Sequence, residues 1–114
     1  MTRKRLALGA SGEAAVAAWY EAHGWTVLAR NWTVRAGELD LVVQRGRVVA
    51  FCEVKTRSTL AYGSPAEAVG PDKRNRLRRL ALLWLADAPR RAGEIRFDVA
   101  TVVGDEVEVI EGAF

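Results

Sequence analysis

Apolar positions along this 114-residue chain alternate between helical and extended rhythms. The stretch from Glu13 to His23 is rich in alanine and carries Val16, Ala17 and Tyr20 on one helical stripe. With Gly24 as a C-terminal stop, it predicts a first helix that begins near Leu6 to Ser11 and ends at His23. β-Branched and aromatic residues then dominate three segments, Trp25 to Ala29, Glu38 to Gln44 and Val48 to Thr56, which read as strands. Arg45-Gly46-Arg47 forms the turn between the last two. Leu60 to Pro71, broken by Gly63, Pro65 and Gly70, is expected to be a loop with one helical turn at Ala66 to Val69. Leu77, Leu80, Ala81, Trp84 and Leu85 follow at i, i+3, i+4, i+7 and i+8, predicting a second helix over Asp72 to Ala86, with Pro89 after its end. Two more strands, Arg96 to Val103 and Val107 to Glu111, flank Gly104-Asp105, where Asp105 is expected in the left-handed conformation.

The order α-β-β-β-α-β-β predicts one α/β domain over residues 1–114, a central mixed sheet flanked by helices, with a basic N-terminal arm at residues 1–7. Composition agrees: half of the residues are hydrophobic and 27% are charged. A domain of this size buries roughly two thirds of its unfolded surface and folds without disulfides. Cys52 is the lone cysteine and His23 the lone histidine, which excludes an internal disulfide, a Cys-based zinc site and multi-histidine cages. Catalysis therefore has to rest on carboxylates, Lys and Arg. No stretch approaches the roughly 18 apolar residues that span a bilayer, and Arg3, Lys4 and Arg5 precede no long apolar run, so a cytoplasmic protein without a membrane partner is expected. A net charge of +3 favours an anionic partner.

The informative segment is Gly37-Glu38-Leu39-Asp40, followed across the turn by Phe51-Cys52-Glu53-Val54-Lys55. Alternate strand residues share a face, which groups Glu38, Asp40 and Val42 on one strand and Phe51, Glu53 and Lys55 on the other. An even-numbered hairpin loop brings Asp40 alongside Glu53 and Lys55; an odd loop or a bulge separates them. Charges inside apolar strands cost several kcal/mol unless compensated. A divalent cation supplies that compensation, since Mg²⁺ takes one or two carboxylates plus waters and phosphate, and Asp40 with Glu53 offers such a pair. Lys55 is placed to orient or deprotonate water for attack on a phosphodiester. From spacing alone, a cross-strand salt-bridge cluster on a solvated face accounts for the same three residues.

Gly12-Glu13, Arg30-Asn31, Gly37-Glu38-Leu39-Asp40, Glu53-Val54-Lys55-Thr56-Arg57 and Arg96-Phe97-Asp98 together resemble the PD-(D/E)XK nuclease superfamily. More narrowly, they resemble the YraN-like family of small bacterial proteins related to archaeal Holliday-junction resolvases. That resemblance spans nearly the whole chain. It implies a restriction-endonuclease-like core, Mg²⁺ (or Mn²⁺) at Asp40 and Glu53, a catalytic Lys55, and Glu13 as the helical acid that completes the site. Glu38 is either an accessory ligand or a structural partner for an arginine. The resemblance also implies DNA as partner, branched or structured, and a homodimer.

Lys73, Arg74, Arg76, Arg78 and Arg79 crowd the first half of the second helix, where the helix dipole disfavours cations and phosphate would relieve their repulsion. With Arg57 and the N-terminal arm they form a candidate footprint on a nucleic-acid backbone; a solvated helix face is the plain alternative. Trp19, Trp25, Trp32 and Trp84 are assigned to core or interface, Cys52 to the sheet face opposite Phe51 and Glu53, and His23 to a helix cap. The rivals to a DNA endonuclease are a non-catalytic nucleic-acid-binding module with the same fold, and a protein-interaction adaptor.

Overall fold

The computed structural model describes residues 3–57, 69–88 and 92–114. Its elements run α1 (Arg3–Ala22), β1 (Thr26–Val34), β2 (Gly37–Arg45), β3 (Val48–Arg57), α2 (Pro71–Asp87), β4 (Glu94–Val103) and β5 (Glu106–Ile110), in the expected order. The five strands form one sheet in the order β1-β2-β3-β4-β5. All neighbours are antiparallel except β3 and β4, which are parallel because α2 carries the chain back between them. No helix among the described residues is long and apolar enough to cross a membrane.

Alternation along the strands divides the core in two. Leu41, Val43, Ala50, Cys52, Ala100 and Val102 pack under Val16, Ala17 and Tyr20 of α1. Val42, Val49, Phe51 and Val99 face the other way, under Leu77, Leu80 and Ala81 of α2. Both predicted helical stripes are therefore the buried ones, and Cys52 lies opposite Phe51 as expected. Burial pushes the Cys52 thiol far up, so it stays protonated. His23 closes α1 through its ring nitrogen Nδ1, 2.6 Å from the Trp19 carbonyl.

Several boundaries differ from expectation. α1 begins at Arg3, so the backbone of the basic arm is helical from there on, and it ends at Ala22. β1 starts after Trp25 and runs on to Val34, because its second half pairs with β2 as far as Val34↔Gly37. Gly104, not Asp105, takes the left-handed conformation, with φ 59°. Glycine at the first position of a two-residue hairpin loop accepts positive φ without Cβ strain, and Asp105 then has no need of it. The helical turn expected at Ala66 to Val69, except for Val69 itself, most of the Leu60 to Pro71 loop, and Pro89 lie outside the described residues.

Gly12, buried in α1, shows how closely helix and sheet approach. A Cβ there would clash with Thr56 Oγ1 and stand 3.3 Å from Thr56 Cβ. Alanine is the better helix former by about 1 kcal/mol, yet Gly12→Ala is expected to destabilise the protein by about 1–3 kcal/mol, because the β-branched Thr56 must turn or α1 must lift. Urea unfolding of Gly12→Ala alone and with Thr56→Ala checks this. Recovery of most of the loss in the double variant identifies the clash; equal losses would point elsewhere.

Candidate active site

The β2–β3 hairpin closes with the two-residue loop Gly46-Arg47, Gly46 having φ 60°. The loop is thus even, and even positions on β2 face odd ones on β3, as in Val42↔Phe51 and Gln44↔Val49. The ladder ends at Leu41↔Cys52, one pair short of Asp40 and Glu53. There the strand changes character. Leu39 packs on the α2 side together with Val42, whereas Leu41 packs on the α1 side. Glu38, Asp40 and Val42 therefore do not share one face, since alternation breaks at Asp40. Opposite that break, Asn31 of β1 has φ 49°, the one non-glycine residue with positive φ among those described. Asn31 and Asp40 are skipped in the β1–β2 ladder between Arg30↔Leu41 and Trp32↔Leu39.

Freed from the ladder, Asp40 turns its carboxylate toward β3, where its Oδ2 accepts the Val54 backbone N–H at 2.9 Å. Glu53 is buried, at 8% exposure, and its Oε1 lies 2.6 Å from Lys73 Nζ and 3.5 Å from Lys55 Nζ. Burial, followed by the Glu53 charge and the weaker influences of Glu13 and Glu38, pushes the Asp40 carboxyl up to about 7; the Val54 N–H opposes that rise. Burial also raises Glu13 above the usual carboxylate range, a hydrogen bond with Asn31 works against it, and Glu38 and Glu53 add to it. The predicted Glu13, Asp40 and Glu53 thus form one electrostatic cluster at the end of the sheet, reached by α1 from one side and α2 from the other. Glu38 is exposed and pairs with no arginine among the described residues.

Lys55 is held below the usual lysine range by burial first and by its neighbour Lys73 second. Lys73 goes the other way: burial is the largest single influence and lowers it, but its bond to Glu53 and its contact with Lys55 together raise it. Lys73, which the sequence assigns to a phosphate footprint or a solvated helix face, is bound to Glu53. Arg74 Nε donates to the Val69 carbonyl at 2.7 Å and its guanidinium lies over Phe114, so it too is engaged. Arg76, Arg78 and Arg79 are exposed along α2, Arg78 donating to Asn75 Oδ1 at 3.3 Å and lying over Phe114 beside Arg74, while Arg57 ends β3, half-buried. Thr101, beside Lys55 in the β3–β4 register, has a buried hydroxyl without a partner among the described residues. Nothing in its sequence neighbourhood signals that position. An apolar pocket of about 250 Å³ is lined by Arg78, Ala81, Leu82, Leu85, Ile95 and Phe97, and none of Asp40, Glu53, Lys55 and Lys73 lines it.

Among the described residues no group of three or more His, Cys, Asp and Glu side chains is arranged to hold an ion. Mg²⁺ needs no such cage, because it keeps several waters and takes one or two carboxylates. Asp40 and Glu53 fit that requirement: both are hard oxygen donors, and the crowding that raises Asp40 is what a divalent cation relieves.

Comparison with known proteins adds a family. The model of the uncharacterised protein family UPF0102 matches residues 12–102. A UPF0102 protein of Frankia casuarinae is 50% identical over 117 aligned residues, covering 98% of this chain and 99% of that protein. Relatives of the same description in Nocardia farcinica, 52% identical over 85% of this chain and 76% of theirs, and in Bifidobacterium longum, 49% over 83% and 79%, match as well.

Proposed function

This chain belongs to the uncharacterised protein family UPF0102, and on that premise we propose that it is a cytoplasmic, divalent-metal-dependent DNA endonuclease of the PD-(D/E)XK type. The observation that supports this most is the meeting of Asp40, Glu53 and Lys55 at the end of the β2–β3 hairpin, with Glu13 of α1 joined to them electrostatically. Asp40 and Glu53 would hold the ion. When bound, Mg²⁺ or Mn²⁺ supplies Lewis-acid stabilisation of the charge that develops on a phosphodiester. Lys55 is the residue to orient or deprotonate the attacking water, and an amine below the usual lysine range suits proton abstraction. The exposed Arg76, Arg78 and Arg79 give the DNA backbone a sequence-independent anchor. A symmetric dimer acting on branched DNA is the form that the resolvase resemblance implies.

One observation favours the non-catalytic nucleic-acid-binding module instead: Glu53 already carries two lysines. Cleavage of labelled single-stranded, duplex, flap and four-way-junction DNA with Mg²⁺, Mn²⁺ or EDTA separates the readings. We expect metal-dependent cutting that Asp40→Asn and Lys55→Ala each reduce by about 100-fold or more, with folding and DNA binding retained. Salt-sensitive binding without cleavage of any substrate would put the binding module ahead.

A further inference from the structure

The shortest ion pair in the site is the one the proposed chemistry does not use. Lys73 Nζ, on the first turn of α2, lies 2.6 Å from Glu53 Oε1, closer than Lys55 on the same strand as that carboxylate. Glu53 is almost fully buried, while the Lys73 side chain is 36% exposed. A buried carboxylate without a cation is strongly disfavoured, so some positive group has to stand beside it whenever the metal is absent. A metal ion and an ammonium cannot use the same side of one carboxylate oxygen together. Lys73 is suited to leave: it has a long flexible stem and a path to solvent, and its neighbours Asn75 and Arg76 already face outward.

We propose that Lys73 is an exchangeable counter-cation, which occupies the cation position at Glu53 in the metal-free protein and passes to a substrate phosphate when a divalent ion binds. This deepens the nuclease reading above and rests on its metal site. Charge stays balanced throughout. The ion offsets Asp40 and Glu53, and the released ammonium offsets the one negative charge that a phosphodiester brings. The same displacement makes metal binding weaker in the absence of DNA and stronger in its presence, because phosphate takes the ammonium away from Glu53.

Mn²⁺ binding, followed by the electron paramagnetic resonance of the free ion without DNA, reads the exchange independently of activity. Lys73→Met is expected to bind Mn²⁺ about 5- to 10-fold more tightly than wild type, in line with losing one partly exposed competing ion pair; Lys73→Arg, which keeps the charge, should stay near wild type. Duplex binding across salt concentrations provides the second half. With Ca²⁺ in place of Mg²⁺, the log–log slope of Lys73→Met should be shallower than wild type by about 0.9, one phosphate contact, and in EDTA the two slopes should coincide. An unchanged or weaker Mn²⁺ affinity in Lys73→Met, with wild type binding normally and both proteins folded, overturns the exchange and leaves the nuclease site standing. Failure of both proteins to bind Mn²⁺ removes the metal site itself, and the exchange with it.

Discussion

Replacing Asp98 by alanine is expected to cost about 3–5 kcal/mol, enough to leave many domains of this size barely folded. Asp98 is fully buried in β4 on the α1 side of the sheet. Every direction around its carboxylate is occupied. Tyr20 Oη donates to Oδ2 at 2.5 Å, Arg96 reaches both oxygens through Nε at 2.8 Å and Nη2 at 2.9 Å, and the Gly112 N–H donates to Oδ1 at 3.0 Å. Truncation strands the Tyr20 hydroxyl of α1 and the Gly112 N–H beyond β5, and leaves the Arg96 guanidinium of β4 with Glu111, 3.7 Å away, as its remaining carboxylate. The Arg96 guanidinium, raised by its hydrogen bonds to Asp98, also lies 4.7 Å over the Trp25 ring and would lose its orientation there. Tyr20→Phe removes one bond of this network and is expected to cost about 1 kcal/mol. Urea unfolding checks both values. A loss under about 1 kcal/mol for Asp98→Ala would mean that water satisfies these groups, and the network would then not be what joins the two ends of the chain.

Arg96-Phe97-Asp98 contributes to the family resemblance, yet Asp98 faces away from Glu53 and Lys55, so the motif joins a structural carboxylate to a chemical set. Sequence alone could not separate the two. Asp98 and Asp40 are both acids in apolar strands, and what distinguishes them is their partners: Asp98 has a bidentate arginine, whereas Asp40 has one backbone N–H and three acidic neighbours. Those partners come from distant parts of the chain.

The element order and both helical stripes were legible because period and glycine punctuation are local properties. The even hairpin loop was legible, and it sets Glu53 and Lys55 across from the end of β2; Asp40 reaches them not by strand parity but by leaving the ladder and accepting the Val54 N–H. The break in alternation was not. It lies opposite Asn31, which is skipped in the β1–β2 ladder in a left-handed conformation, and the bare pattern of β1 suggests a strand that ends at Ala29. The Glu53–Lys73 pair was hidden for another reason: it joins residues twenty positions apart through the β3–α2–β4 crossover, and a cation in a run of cations reads as surface.

In metal-free buffer, Asp40→Asn is expected to make the protein more stable at pH 8 by on the order of 4 kcal/mol, while leaving its stability near pH 4 almost unchanged. Asp40 rises from 3.8 to about 7 on folding, chiefly through burial and then through Glu53, so between those values the folded state binds the proton that the unfolded state releases. Wild-type stability contributed by this group is complete below about pH 4, declines through the interval, and is fully lost above about pH 7. Asparagine is neutral throughout and can still accept the Val54 N–H. Subtracting variant from wild type at each pH cancels the other titrating groups, provided that they keep their environments. A difference that does not vary with pH would refute the crowding of Asp40. The difference should also shrink in millimolar Mg²⁺, because an ion held by Asp40 and Glu53 stabilises the wild type and has less to hold in the variant. The residue on which the proposed cleavage depends would then also be the residue whose loss stabilises the metal-free fold, as expected where carboxylates are gathered for an ion rather than for each other.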